Sequence, residues 1–147
     1  MSQLSELYKQ VVLEHNRSPR HFTELAPPCR HLEAFNALCG DKLDIFVRDQ
    51  KQSISDLSFT GVGCALSMAS ASMMMEVLQP MRVQDALQLV DRFVVAVSVD
   101  SASEDLDLPG DLSALLEVRR FPSRVGCVLL GWQELGRYLR KKADAGD

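Results

Sequence analysis

Residues 61–72 are the stretch that most constrains what this chain can form. Gly61 and Gly63 bracket a valine at the end of a strand-like segment, and Cys64 then opens a run rich in alanine and serine. The glycines predict a turn from a strand into a helix, with Cys64 at the helix N-terminus. There the helix dipole and unpaired backbone N–H groups favour the thiolate, the form that binds metal or attacks sulfur. The small residues that follow predict close approach of another backbone.

Before this stretch the sequence predicts three short strands. Residues 31–38 read as an extended segment, and residues 43–47 alternate apolar and polar side chains as a half-buried strand does. A third segment, residues 54–62, loses its alternation near Asp56, which predicts a β-bulge. Because only tight turns separate these segments, we predict a three-stranded antiparallel sheet.

Apolar spacing and proline stops predict the helices. They lie over residues 4–18, 64–78, 83–97 and 112–118, and from Pro122 onward. Strands followed by helices indicate an α+β domain with helices packed on one face of the sheet. We expect a single domain over residues 1–147, large enough to bury a core without a metal or a disulfide. A bound metal is therefore expected to serve chemistry rather than the fold.

The net charge and the hydropathy of the chain limit the binding partners and the cellular compartment that we expect. A net charge of -4 and a pI near 5.4 argue against nucleic acid, which is normally bound by a basic surface. No apolar run is long enough to span a membrane and residues 1–20 hold no signal-peptide core, so we expect a cytoplasmic protein without a membrane partner. In that reducing compartment the four cysteines are not expected to form structural disulfides. Cys29 is interpreted as a bystander, and residues 100–111 as a solvated acidic loop.

The other three cysteines stand at junctions between predicted elements. Cys39 and Asp41 flank a glycine, Cys64 follows the predicted glycine turn, and Cys127 lies in the opening turns of the last helix. Three thiolates and a carboxylate would complete a tetrahedral zinc site, and thiolates are equally the usual ligands of iron–sulfur clusters. The spacing is not a close-paired cysteine motif, so separate buried cysteines remain an alternative on this evidence alone.

Four motifs along the chain resemble one known family. They are Leu7-Tyr8 with His15, Pro19 and Arg20; Cys39-Gly40-Asp41; Gly61-Val62-Gly63-Cys64 with the small residues and methionines after it; and residues 121–127 with Trp132. In this order they resemble the iron–sulfur cluster assembly scaffold family, namely IscU, SufU and the N-terminal part of NifU. The resemblance covers nearly the whole chain and implies a SufE/NifU-like form of the predicted fold.

Within that family the chain looks like the SufU branch. The IscU branch has a histidine immediately before its last cysteine, whereas Gly126 precedes Cys127 here and Arg124 stands three residues before it. The SufU branch also carries an insertion between its second and third cysteines, which the acidic residues 100–111 would fit.

The resemblance then implies roles for individual residues. Cys39, Asp41, Cys64 and Cys127 would bind zinc, and Cys39 would accept persulfide sulfur from a SufS-type cysteine desulfurase. Arg124 would stabilise a thiolate or replace a displaced ligand, while Cys64 stays a fixed ligand.

Two alternative functions remain open at this point. One is a scaffold that builds a [2Fe-2S] cluster from iron and passes it to apoproteins or downstream iron–sulfur assembly proteins. The other is a zinc-stabilised adaptor that activates the desulfurase by contact. None of the three histidines matches a ligand position of the family, and His15 is interpreted as a buried core residue.

Overall fold

The computed structural model describes residues 3–98 and 108–145. The elements follow in the order α1 (Gln3–Arg17), β1 (Arg30–Asn36), β2 (Asp41–Gln50), β3 (Ser53–Val62), α2 (Ala65–Leu78), β4 (Met81–Arg82), α3 (Val83–Ser98), a 3₁₀ helix (Leu112–Arg120) and α4 (Pro122–Ala145). All the predicted helices are present, and their ends lie within two residues of the predicted positions. The short one is a 3₁₀ helix. The greater part of the acidic segment 100–111 lies outside the described residues.

The sheet is antiparallel, with the strand order β1-β2-β3-β4. The predicted number of three strands is wrong, because β4 pairs with the start of β3 through Ser53 and Ile54. A strand of two residues is too short to leave an alternation in the sequence. The predicted bulge is confirmed: Arg48 pairs with Asp56 and Asp49 pairs with Ile54, so Ser55 between them has no partner.

One face of the sheet forms the floor of the core. Leu43, Ile45 and Val47 of β2 and Phe59 of β3 have no solvent exposure on this face. A Cβ built on Gly131 of α4 would lie 3.3 Å from the Leu43 side chain and 3.8 Å from that of Ile45, so α4 rests directly on the sheet. The helices therefore cover this face, as predicted.

Helix α2 is buried on several sides because its side chains are small. The Ser70 hydroxyl of α2 donates to the Val128 carbonyl of α4 at 2.6 Å, and the Trp132 indole of α4 donates to the same hydroxyl at 2.9 Å. On the α1 side, Ser72 bonds the ring of His15 at 2.7 Å, and His15 is a buried core residue as predicted. The alanines and serines thus allow the predicted close approach.

Membrane insertion of a helix has no support in the part of the chain that the structure describes. None of its helices is both long and apolar enough to cross a bilayer.

Candidate metal centre

The loop between β1 and β2 bends sharply and presents Cys39 to solvent. Gly40 has a φ of 72°, a left-handed conformation that glycine adopts without strain, and its N–H donates to the Asn36 carbonyl at 2.8 Å. The Asn36 side-chain oxygen also accepts the Leu38 N–H at 3.1 Å. On the two sides of this bend, Cys39 is exposed and Asp41 is fully buried.

The two glycines of residues 61–63 are required by close approach rather than by a turn. Gly61 still belongs to β3, and neither glycine has a positive φ. A Cβ at Gly63 would lie 2.7 Å from a carboxylate oxygen of Asp41 and 2.7 Å from the Ser67 hydroxyl. A Cβ at Gly61 would lie 2.6 Å from the Lys42 carbonyl. The predicted change from strand to helix is confirmed, since β3 ends at Val62 and Cys64 is the N-cap of α2. The reason for the glycines differs from the predicted one, because these positions let β2 and its aspartate lie against the backbone.

The Asp41 carboxylate occupies the N-terminus of α2. Cys64 is the N-cap residue, and its N–H donates to Asp41 Oδ1 at 2.8 Å. The Cys64 Sγ lies 3.9 Å from Asp41 Oδ2. The carboxylate of Asp41 and the thiol of Cys64 thus both lie at the positive end of the helix dipole.

Cys127 of α4 lies beside Cys39 and Asp41. Its Sγ lies 3.0 Å from the Cys39 Sγ, well beyond the roughly 2.05 Å of a disulfide bond. The ligand atoms of Cys39, Asp41 and Cys127 all lie within 4.8 Å of one another. Cys64 adjoins this group through Asp41, so we refer to Cys39, Asp41, Cys64 and Cys127 as the thiol group.

The thiol group is partly buried, and none of its members is ion-paired with a basic side chain of the described residues. Burial raises the pKa of Cys127, and its hydrogen bonds with Cys39, Cys64 and Asp41 raise that pKa further. Within residues 3–98 and 108–145, Asp41 forms no ion pair. A cation bound among these side chains would supply the missing charge. Three thiols and a carboxylate are the donors that zinc and iron–sulfur clusters take.

Arg124 lies in the first turn of α4, three residues before Cys127. Its side chain is exposed and makes no hydrogen bond or ion pair with the described part of the chain. Burial raises the pKa of Tyr8 above its ordinary value. The Arg124 guanidinium opposes this rise, and the charges of Glu117 and Cys64 add to it. Arg124 and Cys64 thus both act on Tyr8, but the Arg124 side chain makes no hydrogen bond to a thiol of the described chain.

Sequence reasoning missed one residue that contacts the thiol group. The Asn36 side-chain amide donates to the Cys127 Sγ at 3.8 Å, in addition to its two contacts within the Cys39 loop. Its position three residues before Cys39 was the available signal, but a lone asparagine at the end of a strand has many other uses. Among the residues that the structure describes, Cys29 hydrogen-bonds only to the Leu25 carbonyl, at 3.6 Å, in keeping with the bystander interpretation.

Comparison with known proteins decides the family. Residues 7–127 match the NifU-like N terminal domain. The chain belongs to this family. Its members include iron–sulfur cluster assembly scaffold proteins, so the resemblance stated from the motifs is confirmed.

Two relatives of this NifU-like chain carry different names at the same identity. The zinc-dependent sulfurtransferase SufU of Bacillus subtilis is 32% identical over 139 residues, which are 95% of this chain and 93% of SufU. The iron–sulfur cluster assembly scaffold protein IscU of Streptococcus pyogenes is 32% identical over 145 residues, 99% of this chain and 90% of IscU. Identity alone therefore does not separate the two roles.

A solved structure has the same architecture as the NifU-like chain. SufU of Fervidobacterium islandicum, described as an iron–sulfur cluster assembly scaffold protein for the SUF system, superposes with a TM-score of 0.79 at 25% identity. The superposition covers 88% of this chain and 94% of that one. The α+β fold with its antiparallel sheet is thus the fold of this family.

Proposed function

We propose that this chain is a zinc-dependent sulfurtransferase of iron–sulfur cluster assembly. In this proposal Cys39 accepts persulfide sulfur from a SufS-type cysteine desulfurase, and the thiol group holds zinc. The observation that carries the proposal is the unequal exposure of the thiols: Cys39 is exposed on a loop, whereas Cys127, 3.0 Å away, is only 1% exposed. A sulfur donor on another protein can reach the first thiol and not the second.

The donor set supports zinc as the resident metal. Cys39, Asp41, Cys64 and Cys127 would hold it. The fully buried Asp41 carboxylate would supply negative charge, and no basic side chain of residues 3–98 and 108–145 pairs with it. When bound, zinc holds thiols as thiolates and adds no redox chemistry of its own. The bend at Gly40 places Cys39 on the part of the site that is free of strand and helix contacts, so this ligand exchanges most easily.

Sulfur transfer is a single thiol–persulfide exchange. The Cys39 thiolate attacks the outer sulfur of the donor persulfide, R–S–SH. The bond between Cys39 Sγ and that sulfur forms while the donor S–S bond breaks, and the donor cysteine leaves as a thiolate with the bonding electron pair. The outer sulfur and its proton remain on Cys39 as a persulfide, so the step consumes no oxidant or reductant.

Arg124 is proposed to stabilise the negative charge that gathers during this exchange. Residues three apart on a helix share a face, so Arg124 and Cys127 project from the same side of α4. The exposed guanidinium has no hydrogen-bonded partner in the described chain that would hold it elsewhere. We expect Arg124→Gln to slow sulfur transfer about tenfold with little change in zinc content. Arg137→Gln, which removes an exposed arginine paired with Glu134, is the matched control.

A scaffold function is the second candidate, because the IscU relative is as similar as the SufU relative. In that case the thiol group would hold a [2Fe-2S] cluster as cargo for apoproteins. Against it stands Gly126, the residue immediately before Cys127, where the IscU branch has a histidine. Glycine at this position supplies no imidazole ligand for a cluster.

Metal analysis combined with a desulfurase assay tests the proposal. The purified protein should contain about one zinc per chain, lack visible absorption, and acquire labelled persulfide sulfur on Cys39. Cys39→Ser should abolish labelling, while Cys29→Ser, the matched control outside the thiol group, should leave it unchanged. Iron, sulfide and a visible chromophore would support the scaffold instead. Full stimulation of the desulfurase by Cys39→Ser would support the adaptor.

A further inference from the structure

The outer face of the sheet, turned away from the helices, carries a second group of metal-ligand side chains. His31 and Glu33 alternate on β1 and so project from one face, and Asp44 of β2 stands directly opposite Glu33. Their ligand atoms all lie within 4.8 Å of one another. Asp41 and Asp44 are three residues apart on β2, so they leave opposite faces, separated by roughly 10 Å along the strand. This group is therefore distinct from the thiol group.

The imidazole of His31 is held in place for this role. Its ring stacks on the buried ring of Phe46, the residue opposite it in β2, with centroids 4.8 Å apart and planes 11° from parallel. In this orientation Nε2 lies 2.8 Å from Asp44 Oδ1. Ligating histidines that are oriented by their surroundings lose less freedom on binding a metal than histidines on a free surface.

Among the described residues, neither carboxylate of the group is paired with a lysine or an arginine. Like charges directly opposite one another on neighbouring strands destabilise a sheet. Among the described residues, Asp44 forms an ion pair only with His31, and Glu33 forms none. A neutral His31 leaves two negative charges facing each other, which a divalent cation would balance.

We propose that His31, Glu33 and Asp44 bind a divalent transition metal ion, with Zn²⁺ as the probe of choice. One imidazole and two carboxylates suit a borderline cation better than a soft one. Two ligands of one zinc ion, each about 2.1 Å away, are at most about 4.2 Å apart, so small rotations of these side chains close the group around an ion. Metal binding at Nε2 replaces the hydrogen bond to Asp44, and the single hydrogen of the neutral ring then lies on Nδ1. Three protein ligands leave a coordination position for water, and this site fills after the thiolates do.

Calorimetry with imidazole NMR on the full chain tests this site. Protein carrying one equivalent of Zn²⁺ is titrated with a second equivalent while ¹H–¹⁵N imidazole spectra are recorded, in which three histidines give three sets of signals. We expect the second equivalent to shift the His31 signals and to leave those of His15 and His21 unchanged. Its affinity should fall at least tenfold in His31→Ala and in Asp44→Asn, the latter keeping an acceptor for the imidazole.

A third histidine provides the matched control. His21→Asn removes an exposed histidine whose φ of 54° asparagine tolerates well, and it should bind the second equivalent as the parent does. Equal affinity in Asp44→Asn and the parent, or equal shifts of His21 and His31, would overturn the proposal. Cys39→Ser should retain the site. If the thiol group took no zinc, the first equivalent would appear at His31, so failure of the sulfurtransferase proposal is distinguishable from failure of this one.

Discussion

Gly63 shows how one missing side chain shapes the thiol group. Its α-carbon lies so close to Asp41 and Ser67 that a methyl group would overlap both, at 2.7 Å from each oxygen. Since Asp41 also bonds the N-terminus of α2, a displacement at Gly63 would move a proposed ligand and a helix cap together. The absence of a side chain at Gly63 therefore affects both the position of Asp41 and the start of α2.

We predict that Gly63→Ala weakens zinc binding at least tenfold and lowers the free energy of unfolding of the metal-free protein by about 1–3 kcal/mol, the usual cost of overpacking. Gly126→Ala is the matched control, because the added methyl meets nothing closer than 3.6 Å in an exposed position of α4. Alanine there should stabilise the helix by up to about 1 kcal/mol. Urea unfolding and zinc titration measure both effects, and unchanged zinc affinity in Gly63→Ala would contradict the proposed ligand role of Asp41.

At the scale of elements, α2 depends on Asp41 for its N-terminus. The Cys64 side chain makes no cap hydrogen bond, so the carboxylate of Asp41, in β2, accepts the first N–H of this helix instead. A residue that both caps a helix and offers metal ligand atoms has two separable roles, and substitutions can separate them.

We expect Asp41→Asn to keep the cap, because its amide oxygen still accepts the Cys64 N–H, and to lower zinc affinity at least tenfold through loss of charge. Asp41→Ala should lower zinc affinity similarly and also cost about 1–3 kcal/mol of stability, since it leaves a buried N–H without an acceptor. Urea unfolding of the metal-free variants gives the stabilities. Equal stability of the two variants would show that the cap is unimportant.

Helices α1 and α2 are joined by a buried histidine whose tautomer follows from its partners. The Ser72 hydroxyl accepts the Arg20 N–H at 2.8 Å, so its own hydrogen is available to His15 Nδ1. The His15 hydrogen then lies on Nε2, 3.7 Å from a carboxylate oxygen of Glu76. The folded chain thus stabilises the neutral ring.

This arrangement predicts a pH dependence of stability. Burial lowers the pKa of His15 below its ordinary value of 6.5, with Arg20 adding to the effect and Glu76, Asp111 and Glu14 opposing it. The unfolded chain therefore binds the proton more readily, so this contribution is present above pH 6.5 and is lost as the pH falls through the folded pKa. Urea midpoints between pH 5 and 8 should fall less steeply on acidification in His15→Gln. Parallel curves for variant and parent would contradict the assignment.

At the scale of the whole molecule, the core does not depend on the thiol group. Leu43, Phe59, Phe93 and Trp132 are all fully buried, and they join the sheet and the helices without any contribution from a metal. A chain with such a core is expected to fold in the absence of metal.

We predict that chelation lowers the melting temperature without unfolding the protein at 25 °C. Zinc at about 100 times its dissociation constant would add about 2.7 kcal/mol, or about 5–10 °C for a chain of this size. Far-UV circular dichroism and calorimetry with and without a chelator provide the measurement. Unfolding on chelation at 25 °C would show that the metal is structural.

Much of this architecture was predictable because its signals are local. Alternation marked β2 and the bulge at Ser55, and proline stops marked the ends of α1 and α2. Strand β4 was missed because two residues carry no period. The reason for Gly61 and Gly63 was misjudged, since a close approach between strands leaves the same glycines in a sequence as a turn does.

The sequence by itself determined the order of the elements, the set of candidate ligands and the family. Only the tertiary structure decided that Cys39 is the exposed thiol and Cys127 the buried one, and that Asp41 caps α2. It alone brought His31, Glu33 and Asp44 together on the opposite face of the sheet. Periodicity and turn chemistry act between near neighbours in the chain, whereas burial and ligand geometry depend on strand register and helix packing between residues far apart in sequence.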